Sequence, residues 1–199
     1  MKMEKKMKYN DTDFMRDVEK VADRAHNAKI ESSLYLGEYK ERVIKALTFD
    51  EVNEKGIYYE IEEAMEDKNA YKLLVSRQAD FVNIKKYIEI AKKKGMSYKM
   101  IDSLEYSGDI ALVVAAKDAI EHGENDNILV QPKLEVIKQK NLPEIYYKSM
   151  EKCICEFHLD IVRKELPNYV KNYKEIGFLD KLFGSKCPIC QKLGGKKRG

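Results

Sequence analysis

The chain has no tryptophan, only four prolines, and no cysteine before position 153 in 199 residues. The cysteine-free first three quarters exclude a disulfide framework there. Long apolar runs are also missing. The longest strongly apolar stretch, Ile110 to Ala116, is far short of the ~18 residues that mark a membrane span. Neither charge sign dominates: 37 basic residues face 34 acidic ones, net +3. A whole-protein basic field for nucleic acid is therefore absent. No glycine-rich phosphate loop, dinucleotide fingerprint or nucleophile elbow occurs, so the sequence gives no reason to name a reaction. Met1 to Asp13 is charged and has no apolar core of a signal peptide, and a cytoplasmic location is expected.

What is present suffices for a sizeable core, since 44% of residues are hydrophobic. Apolar residues at helical spacing (Phe14, Met15, Val18, Val21, Ala22, Ala25) predict an amphipathic helix from about Thr12 to Ile30, ended by Glu31-Ser32-Ser33. Tyr39, Val43, Ile44 and Leu47 predict a second helix over Glu38 to Phe49. A third follows Gly56, with Ile57, Ile61, Ala64 and Met65 inward and the acidic run Glu60 to Asp67 as a solvated face. Tyr71 to Ser76 reads as a buried strand. Asp80 to Lys94 reads as a helix with the stripe Phe81, Ile84, Tyr87, Ile88, Ala91 and Gly95 just past its end. Met96 to Ile101, Ile110 to Ala116 and Ile128 to Val130 read as strands. Beyond Asn141 strand signals stop. From Pro143 a helix is expected to carry the stripe Tyr146, Met150, Cys153, Phe157 and Ile161. The alternation predicts an α/β fold: a compact mixed sheet with helices packed on it, plus an N-terminal helix and a C-terminal helical extension. The expected organisation is an N-terminal helical segment over 1–30, an α/β domain over 31–140 and the extension over 141–199.

The extension holds all the cysteines. On the expected helix Cys153 and Cys155 point about 160° apart at about 100° per residue, so one ion cannot take both easily. Cys155 and His158, three apart, share a face. Cys187-Pro188-Ile189-Cys190 supplies a second pair from a tight turn. The pattern Cys-x2-His followed by Cys-x2-Cys suits tetrahedral Zn2+, with Cys153 as alternative ligand. Four protein ligands leave no open position, so such a site is structural. The same cysteines also suit a redox pair, an iron–sulfur cluster on all four thiolates, or free thiols without metal. Gly177 to Gly199 has few apolar residues and needs such a clamp to fold. No acidic residue follows Asp180, while Lys181, Lys186, Lys192, Lys196, Lys197 and Arg198 do. These form a solubilising tail or an anion-binding patch, with Lys196, Lys197 and Arg198 the candidates for nucleic-acid contact. Tyr58-Tyr59 and Tyr146-Tyr147 read as half-buried packing, and His26 and His122 have no evident partner.

Leu36-Gly37-Glu38-Tyr39-Lys40-Glu41-Arg42-Val43-Ile44-Lys45-Ala46-Leu47-Thr48 resembles the opening signature of the YueI-like family of uncharacterised bacterial proteins. Asp109 to Ala119 resembles its second block, so that the likeness covers roughly residues 30 to 137. The resemblance implies a compact α/β domain with a mixed sheet and carries no established reaction. The order of elements from Gly56 to Ile110 is also similar to ribosomal proteins that bind kink-turn RNA. Their Gly-x-Asn-Glu motif corresponds to Gly56-Ile57-Tyr58-Tyr59-Glu60, which lacks the asparagine. Three functions are therefore expected, in this order: a non-enzymatic binding or adaptor protein with an unknown protein partner; an RNA- or DNA-associated protein; and a small-ligand enzyme in a sheet-edge cleft. No membrane partner is expected.

Overall fold

The structure, a computed structural model, describes residues 11–194 apart from 103–105, 107, 124 and 125. In chain order the first part contains α1 (Asp11–Leu34), β1 (Val43–Thr48), α2 (Phe49–Asn53), α3 (Tyr59–Ala64), β2 (Ala70–Ser76), α4 (Phe81–Lys93), β3 (Ser97–Ile101) and β4 (Ile110–Ala116). The four strands form a mixed sheet in the order β1-β4-β2-β3. β4 runs antiparallel to both β1 and β2, and β2 runs parallel to β3.

β4 is central because its sequence can be buried on both faces. All seven of its residues are buried, which a strand with polar alternation could not tolerate. On one face Leu112 and Val114 join Leu47, Leu73 and Val75 under α2, α3 and α4, where Val52, Ile61, Ile84, Tyr87 and Ala91 are buried. On the other face Val113 and Ala115 meet Val43, Ala46, Leu74, Leu36 and Ile128. The expected α/β fold, a mixed sheet with helices packed on it, is what the chain forms.

Several expectations fail locally, each for a physical reason. Glu38 to Phe49 is not a helix: a 3-10 turn at Lys40–Arg42 leads into β1. The register of β1 on β4 slips between Val43 and Lys45. That bulge puts the buried positions at Val43, Ala46 and Leu47, a spacing that imitates a helix. Ile128 to Val130 is not a full strand but a single parallel bridge from Leu129 to Ala46. α1 does not stop at Glu31-Ser32-Ser33. The Ser32 and Ser33 hydroxyls donate to the carbonyls of Lys29 and Ile30, so both serines sit within the helix. Val21, Ile30 and Leu34 of α1 are exposed. α4 is capped by Asp80, whose Oδ1 accepts from the Val82 N–H at 2.9 Å. Its expected stripe is buried except for Phe81, which is exposed.

The extension is more broken than a run of helices. After α5 (Lys133–Gln139) it comprises α6 (Ile145–Lys148), β5 (Cys153–Ile154), α7 (Glu156–Glu165), a 3-10 helix (Pro167–Asn172), β6 (Lys174–Glu175), α8 (Phe178–Leu182) and α9 (Pro188–Leu193). The expected continuous helix through Cys153 does not form. The chain turns at Glu151, which takes φ 65°, and Cys153-Ile154 pairs in parallel with Lys174-Glu175. Phe157, placed on the stripe, is consequently exposed. A second hydrophobic cluster results, built on Ile137, Tyr146, Met150, Ile154, Leu159, Val162, Tyr169, Tyr173 and Ile189.

This unit is fastened to the sheet domain around Gly56. The Gly56 N–H donates to Glu151 Oε1 at 2.9 Å. Asn172 accepts from the Ile57 N–H and donates to the Ile57 carbonyl, both at 2.8 Å. Gly56 has φ +74°, and a Cβ there would meet Asn172 Cγ at 2.5 Å, so only glycine serves.

Candidate metal centre

β5 ends one residue before α7, and this junction positions the first ligand pair. Cys155 is the N-cap of α7 and His158 lies in its first turn. The pair therefore survives the loss of the expected long helix, because i and i+3 remain neighbours once α7 begins. Cys187 is in turn the N-cap of α9, with Pro188 at the first helical position. Cys190 follows one turn later.

The two pairs meet. Cys155 Sγ lies 3.3 Å from His158 Nδ1 and 3.4 Å from Cys190 Sγ. His158 Nδ1 is 3.4 Å from Cys190 Sγ and 3.7 Å from Cys187 Sγ. The four donor atoms all lie within 4.8 Å of one another. Cys153 is not in this group. It is half-buried in β5 and packs against the second hydrophobic cluster. Lys196, Lys197 and Arg198 lie outside the described residues.

The surroundings are apolar. His158 and Cys187 are buried. The rings of Phe157 and Tyr146 stand edge-on to the imidazole at 5.0 and 6.0 Å between centroids. Burial holds His158 below the ordinary histidine range, which favours the neutral imidazole that ligates metal. Burial also pushes the Cys187 thiol up, but the backbone N–H groups of Cys155, Cys190 and Ile189 more than offset it, so Cys187 ionises below the ordinary thiol range. Cys190 is pushed up to about 12, by burial first and then by its thiol neighbours Cys155 and Cys187. The Cys190 rise thus includes the cost of placing a second thiolate beside the first. All four cysteines are unpaired in disulfides.

A second polar group, absent from the sequence reading, lies at the seam between the two units. Lys133 is fully buried. Its Nζ stands 3.5 Å from the Tyr58 ring centroid and 3.7 Å from Glu54 Oε2. Burial pulls Lys133 down to about 7, against the raising effect of Glu54. The Tyr58 hydroxyl donates to Glu54 Oε2 at 2.6 Å, and Lys86 Nζ donates to the Glu54 and Gly56 carbonyls. Glu60, expected on a solvated face, is half-buried and accepts from the Tyr169 hydroxyl at 2.9 Å. Burial raises its carboxyl above the usual range. Lysine has no sequence signature of burial, which is why this cluster was not foreseen. Elsewhere, a trough of about 580 Å³ is lined by Tyr35, Lys40, Asp126 and residues 127–131. Its charged lining residues are Lys40 and Asp126.

Among the described residues no helix is long and apolar enough to cross a membrane. A family model described as "Protein of unknown function (DUF1694)" matches residues 14–126. The chain is 29% identical over 90 residues to the uncharacterized protein YueI of Bacillus subtilis (strain 168), covering 45% of this chain and 68% of that protein. A crystal structure of YueI from Bacillus subtilis matches with 28% identity and a TM-score of 0.47, over 51% of this chain and 77% of that one. All four donor residues lie beyond the matched family region, while α1 to β4 lie almost wholly within it. More than half of the chain thus follows the family pattern, and the protein belongs to the YueI-like family of unknown function.

Proposed function

We propose that the C-terminal unit is a module held by one structural Zn2+ on Cys155, His158, Cys187 and Cys190, carried by a non-enzymatic binding or adaptor protein. The observation that supports the metal is the convergence of three sulfurs and one imidazole nitrogen within 4.8 Å. Tetrahedral bonds of roughly 2.3 Å to sulfur and 2.0–2.1 Å to nitrogen imply edges of about 3.8 Å between sulfurs and about 3.6 Å between sulfur and nitrogen. The four separations given above, 3.3 to 3.7 Å, lie close to those edges. An iron–sulfur cluster, with several irons between its ligands, would hold its sulfurs farther apart. A redox pair needs neither a third thiol nor a buried imidazole. Three cysteine sulfurs and one imidazole in one apolar pocket fit Zn2+, a borderline-soft divalent ion. Free thiols this close fit a reducing compartment such as the cytoplasm.

The coordination supports a structural rather than a catalytic ion, which is compatible with the adaptor reading. Four protein ligands leave the ion no open position, so the metal orders chain rather than activating water. The test is metal content of the reductively purified, tag-free chain by mass spectrometry. About one zinc per chain is expected, kept by Cys153→Ser and lost by Cys187→Ser/Cys190→Ser. Absence of metal from all three proteins would overturn the reading, and loss in Cys153→Ser would overturn the ligand set.

A further inference from the structure

The loop between β6 and the metal-site cysteines is anchored at both ends and exposed between them. Ile176 is buried and its N–H donates to the Ile154 carbonyl at 2.9 Å. Cys187 is buried among the donor atoms. Between these anchors Phe178, Leu179, Leu182 and Phe183 are 80%, 64%, 70% and 82% exposed. At about 100° per residue they fall within one arc of about 140° on α8 and the residue that ends it. The loop is not slack. The Gly177 N–H donates to Asp180 Oδ2 and the Ser185 N–H to the Asp180 carbonyl, both at 2.8 Å. Two phenylalanines and two leucines are thus held in water on a defined projection, which is the mark of an interaction surface.

From Lys181 onward the charges have one sign. Asp180 is the acidic residue of the loop, and its carboxylate is engaged in closing α8. Lys181, Lys186 and Lys192 are exposed, and no acidic residue follows Asp180. We infer that this loop docks on an anionic lipid surface: Phe178, Leu179, Leu182 and Phe183 enter the boundary between headgroups and acyl chains, and Lys181, Lys186 and Lys192 face the lipid phosphates. An apolar tip rimmed by lysines is the chemistry of an interfacial segment. Single-stranded nucleic acid would reward the two phenyl rings by stacking but not the two leucines. The expectation of no membrane rested on the absence of a spanning segment, and a surface-lying loop needs none. The inference rests on the zinc reading for one point, the fixed position of the Cys187 end.

The experiment is co-sedimentation of the full chain, with its zinc content measured, on phosphatidylcholine vesicles with and without phosphatidylserine. Partitioning about tenfold greater onto the phosphatidylserine vesicles is expected, falling with added salt. Phe178→Ser/Phe183→Ser changes side chains that touch water, so it keeps its zinc while its partitioning drops by about tenfold or more. A zinc-loaded wild type that stays in solution with both vesicles overturns the docking surface and leaves the metal standing. A metal-free chain whose pelleting still depends on Phe178 and Phe183 supports the docking surface while the metal reading falls. Wild-type dimers that become monomers in the phenylalanine variant, without pelleting, overturn it in favour of a second copy.

Discussion

β4 buries seven consecutive residues between two layers of side chains, whereas across 177–194 the buried residues are Cys187 and Ile189. The first region is stabilised by apolar area removed from water, shared among many contacts. The second has almost none to share, and on the proposed zinc reading its order depends on a few directed bonds at Cys187 and Cys190. Loss of one contact therefore means different things in the two places. In the sheet it is a fraction of a large sum; at the ligands it is nearly the whole.

Breaking the ligand set gives the largest expected effect. Structural zinc contributes on the order of 10–16 kcal/mol in small modules. In Cys187→Ser/Cys190→Ser, amide protection across 177–193 is expected to collapse while that of β4 persists, read by hydrogen exchange. Equal loss in both regions would show that the two are one cooperative unit. The reverse cut is Leu112→Ala, a fully buried residue of β4. A cost of about 2–5 kcal/mol in urea denaturation is expected, with zinc content unchanged in the folded fraction.

The seam between the regions is tested by Gly56→Ala. The positive φ and the approach of Asn172 set a cost of about 1–3 kcal/mol. Faster proteolysis within 141–176 is expected, with the sheet still intact. The last test concerns Lys133, whose effect is confined to one pH window. Its folded pKa of about 7 lies below its ordinary 10.5, so between these values the unfolded chain binds more protons. Stability therefore rises with pH across that window, by at most about 1.4 kcal/mol per pH unit for one proton. Below pH 7 both states are protonated and the slope vanishes. Lys133→Met removes the charge without opening a cavity and is expected to flatten the slope of the urea midpoint from pH 7 to 9. Lys86, also lowered by burial, keeps a residual slope.

Local chemistry made part of this legible. β4 announced itself by an apolar run that only a doubly buried strand tolerates, and α4 by its aspartate cap, its stripe and Gly95. The spacing of Cys155 and His158 predicts that they share a face, and the two side chains do lie side by side, on a helix shorter than the expected one. What could not be read was pairing at a distance. The bulge in β1 depends on β4, about seventy residues later in the sequence, and the turn at Glu151 depends on β6 and Gly56. In both cases apolar residues at steps of three and four meant partners elsewhere, not a helix. Burial of Lys133 has the same origin, since Glu54 and Tyr58 come from another part of the chain.

The bonds at Gly56 and Ile57 join residues 95 and 115 positions apart. Closing loops of that length is entropically slow and is rewarded only after both partners are shaped. The seam is therefore expected to form after the sheet, with its interactions absent from the rate-limiting step of sheet folding; unchanged refolding and faster unfolding of Gly56→Ala in stopped-flow measurements check this. Interactions made late leave the folding rate alone and retard unfolding. An ion bound in the C-terminal unit would then act as a brake on opening: it lengthens the life of the assembled protein without hastening its birth.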